Sequence, residues 1–197
     1  EKIKENVVSQ SFHQMGTAVG MDLGLLSGDI PIKNWRLGDH PELTNTITGP
    51  IMTEKYLKRA GACFGCPIAC KRVVEVKDGQ YKTDEGPGPE YESLCSLGAM
   101  TMTFNLPALI KANELCNRYG IDTVSCGSTI AFAMDCYENG IINRADTDGL
   151  ELAWGNEGVL LSLIKKIADR EGIGNILAEG SKKAAEKIGK GAEEFVV

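Results

Sequence analysis

Three closely spaced cysteines are the side chains of this sequence best suited to chemistry. Cys63, Cys66 and Cys70 follow the spacing C-x2-C-x3-C, and Gly61 and Gly65 make the backbone around them pliable. Thiolates this close can point at one centre only where the chain wraps round it, as it does in iron–sulfur and zinc sites. The spacing therefore predicts an iron–sulfur cluster or a zinc ion. The alternative is a tight turn that buries three small apolar side chains.

A cubane cluster takes a fourth thiolate, and the sequence has no second CxxC pair. Either one of the remaining cysteines supplies the fourth ligand or it lies outside this sequence. The remaining cysteines are Cys95, Cys116, Cys126 and Cys136. Two basic pairs, Lys58-Arg59 and Lys71-Arg72, flank the cysteine triplet. Their charge either raises the reduction potential of a cluster or only solvates the ends of the loop.

Two carboxylates, Glu90 and Glu92, follow the cysteines in the stretch GPGPEYE at 86–92. Pro89 predicts the first turn of a helix there. A carboxylate in a closed apolar pocket can have its pKa raised towards neutrality, which suits proton transfer. Side chains two apart on a helix point in different directions, so we expect one acid–base residue, with Glu90 preferred. The alternative is that both only stabilise the helix N-terminus.

Four stretches together resemble the tungsten-containing aldehyde ferredoxin oxidoreductase family. They are CxxCxxxC at 63–70, GPEYE at 88–92, GIDTVSCG at 120–127 and PIKNW at 31–35. The resemblance covers essentially the whole chain. It implies oxidation of small aldehydes to carboxylic acids at a tungsten or molybdenum ion held by two pterins, with a [4Fe-4S] cluster passing electrons to ferredoxin. It also implies that Cys63, Cys66 and Cys70 are three cluster ligands, with the fourth beyond Val197, and that the full-length enzyme is a homo-oligomer.

The resemblance further implies a pterin contact through an Asp-led motif at the start of a buried helix. Asp122 matches the Asp of that motif, whereas Cys126 departs from the small or hydroxyl residue expected at its position. The cofactor-binding candidates are Asp122, Ser125, Cys126 and Gly127. From the residues alone, Asp122 has the alternative role of capping the helix.

Further polar candidates precede the cysteines. His13 lies in a predicted turn at 11–17, where it is a surface or capping residue or takes part in proton transfer. Residues 27–50 form a long irregular connection, and segments of this kind tend to be functional or to pack against another domain. Lys33, Asn34 and Arg36 either bind phosphate or pterin groups, as the resemblance suggests, or form a solvated loop edge.

Hydrophobic periodicity predicts a mainly α, multi-helical fold with one small β-hairpin, as the helical domains of the resembled family would have. The hairpin is expected from strands at 73–76 and 80–83 around the turn Asp78-Gly79. A strand is also expected at 194–197. Helices are expected at 1–10, 18–26, 51–59, 89–100, 106–119, 128–139, 157–171 and 176–188, with a tight link at 121–127.

Composition narrows the class of protein. The chain has 197 residues, 43% of them hydrophobic, and a net charge of −6. This length suffices for one globular core, and the acidic balance argues against nucleic acid as a partner. No apolar run approaches the roughly 18 residues of a membrane span, and no signal peptide is visible. Clustered cysteines fit ligation better than disulfides and therefore indicate the cytoplasm.

We expect residues 1–197 to be the helical cluster- and pterin-contacting region of a larger enzyme. The chain starts without Met and ends in an apolar stretch, and the resembled family has a β-rich domain before this region and a further part after it. Two other interpretations stay open. One is a tungsten benzoyl-CoA reductase-type subunit, in which Cys95 would lie at the metal. The other is a non-catalytic electron-transfer or zinc-structural module.

Two further classes are excluded by motif. The sequence has no GxGxxG after a predicted strand, so it offers no nicotinamide site. The radical-SAM spacing CxxxCxxC is the reverse of the spacing found here.

Overall fold

Helices make up most of the structure, a computed structural model that describes residues 2–197. The α-helices are α1 (Lys2–Glu5), α2 (Val7–Met15), α3 (Met21–Ser27), α4 (Leu43–Thr46), α5 (Gly49–Tyr56), α6 (Tyr91–Leu94), α7 (Leu106–Tyr119), α8 (Thr123–Glu138), α9 (Glu157–Asp169), α10 (Ile173–Leu177) and α11 (Ser181–Ile188). Short 3₁₀ helices cover Thr17–Gly20 and Ala192–Phe195, and a π-helix covers Cys95–Ala99. The predicted mainly α, multi-helical fold is confirmed.

A small antiparallel sheet replaces the predicted hairpin. Its strands are β1 (Leu57–Gly61), β2 (Lys71–Val74) and β3 (Gly86–Pro87), in the order β1-β2-β3. The loop of residues 62–70 that joins β1 to β2 contains the three cysteines; we call it the cysteine loop. The hairpin that matters for the site is therefore β1–β2.

The predicted strand at 80–83 was wrong for a local reason. The chain does turn at Asp78-Gly79, and Thr83 N–H donates to the Val76 carbonyl at 3.0 Å. However, Val76 N–H donates to the Thr83 hydroxyl at 3.1 Å, which ends the ladder after one step. The chain then reaches β2 again only at Gly86–Pro87.

The core is built around α8, which is buried along most of its length, as its apolar sequence predicts. It begins at Thr123, five residues earlier than expected, because Asp122 caps it by accepting the Ser125 N–H at 2.7 Å. At Gly127 the helix crosses the π-helix so closely that a Cβ would lie 2.4 Å from the carbonyl carbon and oxygen of Ser96.

Two other long helices follow their sequence signals. Asn105 caps α7, and Gly120 ends it with a left-handed φ of +69°. Asn156 caps α9 by accepting the Val159 N–H at 3.1 Å. α9 ends at Asp169, two residues before the predicted boundary at Glu171.

Several predicted boundaries were wrong because the chain changes direction or element. The helix expected at 51–59 covers Gly49–Tyr56, since the chain enters β1 at Leu57. The helix expected at 89–100 begins at Tyr91 and continues as the π-helix. The helix expected at 176–188 is α10 followed by α11, separated at Gly180, whose φ is +85°.

The chain ends differ in detail from the predictions. The helix expected at 1–10 is α1 followed by the longer α2, and Glu1 lies outside the described residues. The strand expected at 194–197 is wrong, since Ala192–Phe195 forms a 3₁₀ helix. Within the long connection at 27–50, Leu43–Thr46 is helical and Ile32 pairs with Leu37 in an isolated β-bridge.

Within residues 2–197, none of the helices has the length and apolarity that a membrane span requires.

Candidate functional site

The cysteine loop curls back on itself between β1 and β2. Cys66 N–H donates to the Cys63 carbonyl at 3.0 Å, and Gly65 and Ala69 take left-handed φ values of +69° and +57°. Cys63 is exposed, whereas Cys66 and Cys70 are half-buried. The loop therefore presents its thiols at the edge of the molecule rather than in the helical core.

The electrostatics of the loop differ between Cys66 and Cys70. The backbone N–H groups of Ile68 and Ala69 hydrogen-bond the Cys66 sulfur and lower the pKa of that thiol. Burial raises the pKa of Cys70, and the charges of Glu90, Cys66 and Cys63 raise it further. Cys66 is thus the readier thiolate of the two.

Among the described residues, no group of three or more His, Cys, Asp or Glu side chains has the arrangement of a metal site. Metal ligation by Cys63, Cys66 and Cys70 therefore stays a prediction.

A buried arginine joins the cysteine loop to the end of α2. Arg72, only 3% exposed, donates to the Cys70 carbonyl at 3.2 Å and to the Ala69 carbonyl at 3.3 Å. It also donates to the carbonyls of Gln14 at 2.8 Å and His13 at 2.7 Å. The last turn of a helix leaves its carbonyls without helical partners and carries partial negative charge, so a cation fits there.

Two neighbours complete this connection. The His13 ring nitrogen Nδ1 donates to the Ile68 carbonyl at 2.7 Å, which requires the proton on that nitrogen. Gly16 has φ of +75°, and a Cβ on it would lie 2.9 Å from the Arg72 side chain and 3.3 Å from the Cys70 carbonyl oxygen. We call Arg72, His13 and Gly16 the clasp. Neither the spacing nor the periodicity of the sequence marks these contacts.

Glu90 and Glu92 occupy different environments. Glu90 is the half-buried N-cap residue of α6, and its Oε2 accepts a hydrogen bond of 2.6 Å from the Thr17 hydroxyl. The same hydroxyl accepts the Tyr91 N–H at 2.9 Å. Glu92 lies exposed in the first turn. The structure thus orients Glu90 and leaves Glu92 to solvent, and an acid–base role for either stays a prediction.

Glu90 shares a neighbourhood with the cysteine loop. Its charge raises the pKa of Cys70, and together with Cys70 it opposes the lowering of the Arg72 pKa that burial causes. Thr17, which orients Glu90, follows Gly16 of the clasp directly in the chain. Cys70 and Arg72, two residues apart in the chain, therefore lie within electrostatic reach of Glu90, which comes from a separate part of the sequence.

The stretch at 122–127 is divided between surface and core. Asp122 is exposed, and its hydrogen bond from the Ser125 backbone lowers its pKa. Ser125 is exposed too, whereas Cys126 and Gly127 are buried. Of the four cofactor-binding candidates, two are thus open to a ligand and two face the protein interior.

Hydrogen bonds place the start of α8 beside the start of α6. The Ser93 and Thr123 hydroxyls lie 2.8 Å apart, and the Ser96 hydroxyl donates to the Thr123 carbonyl at 3.1 Å. The helices that begin after Glu90 and Asp122 therefore lie side by side.

The four other cysteines are buried in the helical part of the chain: Cys95, Cys116, Cys126 and Cys136. Cys116 and Cys126 hydrogen-bond each other between α7 and α8, which raises the pKa of Cys126. Burial raises the pKa of Cys95 to about 12 and that of Cys136 to about 12, so both favour the neutral thiol.

The polar residues of the segment 33–36 are used within the molecule. Lys33 pairs with Glu138 at 2.9 Å, and Arg36 Nε and Asn34 Nδ2 contact the same oxygen of the buried Asp135 at 3.1 and 2.9 Å. These bonds fasten the segment to α8. The polar groups considered from the sequence for a phosphate or pterin contact thus have partners within the molecule.

Residues 1–197 match the family described as "Aldehyde ferredoxin oxidoreductase, domains 2 & 3". The chain belongs to the aldehyde ferredoxin oxidoreductase family. The family resemblance inferred from the cysteine, GPEYE and GIDTVSCG motifs is thereby confirmed.

Curated relatives of this family are longer than the chain. The tungsten-containing aldehyde ferredoxin oxidoreductase of Pyrococcus furiosus is 42% identical over 175 residues, which are 88% of this chain and 28% of that protein. The enzyme of the same name from Pyrococcus abyssi is 40% identical over 200 residues, which are 100% of this chain and 32% of that protein. The chain thus spans less than a third of each.

Two further likenesses have lower sequence identity. The aliphatic sulfonate oxidoreductase WOR-like subunit of Pyrococcus furiosus is 31% identical over 186 residues, or 94% of this chain and 30% of that protein. A solved benzoyl-coenzyme A reductase complex, BamBC, has a chain with a TM-score of 0.68 at 24% identity. That match covers 98% of this chain and 26% of the other, and it shows a shared fold only.

Proposed function

We propose that the full-length protein oxidises small aldehydes to carboxylic acids at a tungsten or molybdenum bis-pterin centre, with electrons passing through a [4Fe-4S] cluster to ferredoxin. Membership of the aldehyde ferredoxin oxidoreductase family supports the class of reaction. We further propose that the enzyme works in the cytoplasm as a homo-oligomer. The observation that carries the proposal is the curled loop with its three thiols, fastened by the buried Arg72 and within electrostatic reach of Glu90.

The residues of the cysteine loop fit an iron–sulfur cluster. Three thiols lie on one curled loop, two backbone N–H groups hydrogen-bond the Cys66 sulfur, and a buried guanidinium lies behind Cys70. Hydrogen bonds to sulfur and nearby positive charge are the usual means by which a protein accommodates such a cluster. When bound, the cluster would supply one-electron transfer. We assign the fourth ligand to a part of the protein outside this chain, which is consistent with the burial of its other cysteines.

The open residues at the start of α8 fit a pterin. The exposed, ionised carboxylate of Asp122 can accept N–H groups of an aminopyrimidine ring, and Ser125 adds a hydroxyl beside it. Cys126 and Gly127 act indirectly in this proposal, since their burial fixes where α8 starts. The metal held by such pterins would supply a two-electron acceptor for the substrate.

The overall reaction releases two protons and two electrons as an aldehyde and water become a carboxylic acid. We assign proton transfer to Glu90. Its Oε2 is fixed by Thr17, and among the described residues its Oε1 has no hydrogen-bond partner, so Oε1 can accept a proton from substrate or water. Glu92, exposed and two residues further along, is the weaker candidate.

The proposal is tested on the full-length protein purified without oxygen. We expect about four iron and four sulfide per chain together with tungsten or molybdenum, as one cubane cluster requires, and aldehyde-dependent reduction of ferredoxin. Stoichiometric zinc in place of iron would favour the structural module instead. A full cluster without aldehyde oxidation would leave an electron-transfer module or a reductase of the benzoyl-CoA type. The likeness to BamBC, at 24% identity, supports the benzoyl-CoA reductase alternative only through the shared fold.

A further inference from the structure

The four basic residues that flank the cysteine triplet differ in burial. Arg59 is exposed and pairs with Glu85 at 3.1 Å, and Lys58 pairs with Glu75 at 2.9 Å. Lys71 is exposed as well. Arg72 alone of the four is buried, with 3% of its surface accessible. All four have the same two interpretations from the sequence alone, and burial distinguishes Arg72 from the other three.

The hydrogen bonds of Arg72 engage four of its five N–H donors without neutralising its charge. All four go to backbone carbonyls, two in the cysteine loop and two at the end of α2. In the part of the chain that the structure describes, its guanidinium has no carboxylate within salt-bridge distance, unlike those of Arg36, Arg59, Arg118, Arg144 and Arg170.

A buried cation of this kind is costly unless negative charge lies near it. Removing a charged group from water costs several kcal/mol after relaxation, and the attraction of a well-placed opposite charge is of similar size. The nearest candidates are Cys70, whose carbonyl Arg72 binds, and Glu90, which is held by Thr17. A cluster ligated by thiolates is negatively charged, and it becomes more negative on reduction, so a fixed cation beside it stabilises the reduced form more.

We propose that Arg72 is a positioning residue and the built-in counter-charge of the cluster, raising its reduction potential and holding residues 68–70 against α2. This inference rests on the proposed function, because it requires a cluster on the cysteine loop. The charge and the forked geometry of the guanidinium have separable roles. The charge sets the potential, whereas the fork binds the two sets of carbonyls.

The test uses full-length holoenzyme purified without oxygen and three variants. Arg72→Gln removes the charge and keeps an amide donor, Arg72→Lys keeps the charge and loses the fork, and Arg59→Gln is the matched control on β1. The midpoint potential is measured by redox titration, with the spectrum of the reduced cluster read by electron paramagnetic resonance. Iron loss to a chelator is measured in parallel.

We expect Arg72→Gln to lower the equilibrium constant for one-electron reduction about tenfold, which corresponds to about 59 mV. Arg59→Gln should leave the potential unchanged, because that side chain is exposed and already paired. Arg72→Lys should keep a potential near that of the wild type and lose iron faster to the chelator. A potential in Arg72→Gln equal to that of the wild type overturns the proposal.

The remaining outcomes are also decisive. If Arg72→Gln does not retain its cluster, the Arg72→Lys variant decides. A tenfold fall in the equilibrium constant for reduction of Arg72→Lys, or a rate of iron loss equal to that of the wild type, would refute the separate roles of charge and forked geometry. A wild-type protein without a cluster would overturn this inference and the proposed function together. A cluster whose reduction potential is the same in the wild type and in Arg72→Gln would overturn this inference alone.

Discussion

The cysteine loop and the start of α8 are held in place by different forces. The loop is fastened by hydrogen bonds from the clasp, of which His13–Ile68 joins residues 55 apart in the sequence. Glu90 is held by a hydrogen bond from Thr17, which lies 73 residues away in the sequence. The start of α8 is fixed by the Asp122 cap, which binds the backbone only three residues further along, and by the close approach of Gly127 to Ser96.

This difference indicates which property each region controls. Polar bonds to a partly exposed loop orient reactive groups while contributing modestly to stability, since a net hydrogen bond gives only about 0.5–1.5 kcal/mol. Close packing in the core allows no such freedom, and added atoms there are costly. We therefore expect substitutions near the loop to change turnover first, and substitutions at the start of α8 to change stability first.

The largest effect is expected at Glu90. Glu90→Gln keeps the shape and the hydrogen bond from Thr17 but removes the proton acceptor, so turnover should fall about 10²- to 10⁴-fold. Iron and tungsten contents and the thermal midpoint should stay at wild-type values. Glu92→Gln, exposed in the same turn, is the control. Equal losses in both variants, or unchanged turnover in Glu90→Gln, would remove Glu90 from the mechanism.

A large effect on stability is expected at Gly127. In Gly127→Ala the new methyl would lie 2.4 Å from backbone atoms of Ser96, so α8 and the π-helix must separate. Overpacking of this kind costs about 1–3 kcal/mol, which thermal unfolding detects as a lower midpoint. Gly120→Ala is an unsuitable control because of its positive φ, whereas Gly38→Ala has open space and an unrestricted φ. A wild-type midpoint for Gly127→Ala would contradict the packing argument.

A smaller effect on turnover is expected at Thr17. Thr17→Val conserves the shape and removes the hydroxyl that binds both Glu90 and the Tyr91 N–H. Turnover should fall about tenfold, equivalent to about 1.4 kcal/mol, if one oriented hydrogen bond is lost. Thr17→Ser should recover most of the loss because it restores the hydroxyl. A Thr17→Ser variant as slow as Thr17→Val would show that the methyl group, and not the bond to Glu90, matters.

The smallest effect is expected at Asp122 and depends on pH. Asp122→Ala removes the cap of α8 and should cost about 1 kcal/mol at neutral pH. The folded-state pKa of Asp122 is depressed, so its contribution is fully present above the ordinary value of about 3.9 and is lost as the pH falls through the folded-state value. Denaturation at several pH values should therefore show the two proteins converging in acid. A difference in stability between the two proteins that persists in acid would contradict a charged cap. The Asp122→Asn variant keeps a side-chain oxygen that can cap the helix and removes the charge, so it separates the two contributions.

Local signals of the sequence were sufficient for much of the helical framework. Asn105, Gly120 and Asn156 lie where their residue types predict helix ends, because a cap depends only on neighbours within one turn. The start of α8 was placed too late although Asp122 carried the same kind of signal. The sequence allows Asp122 two roles, pterin contact and helix cap, and the two roles compete for one carboxylate.

The parts of the site that the sequence did not predict depend on long-range contacts. Nothing near Thr17 indicates that it binds Glu90, and nothing near His13 indicates that it binds Ile68. Gly127 has the appearance of a turn residue in the sequence, and only its approach to Ser96 shows a packing role. The position of β3 was likewise not predictable, because it depends on the Thr83 hydroxyl, which ends the ladder after Val76.

We propose that the cysteine loop holds a redox-active cluster, and Cys66→Ser in the full-length protein removes one of its three thiols. Iron and acid-labile sulfide are measured beside Cys136→Ala, which removes a buried thiol from the helical core. We expect Cys66→Ser to lose most of its iron, sulfide and reduced-cluster spectrum, whereas Cys136→Ala should keep all three. A Cys66→Ser protein with a full cluster of unchanged spectrum would contradict it.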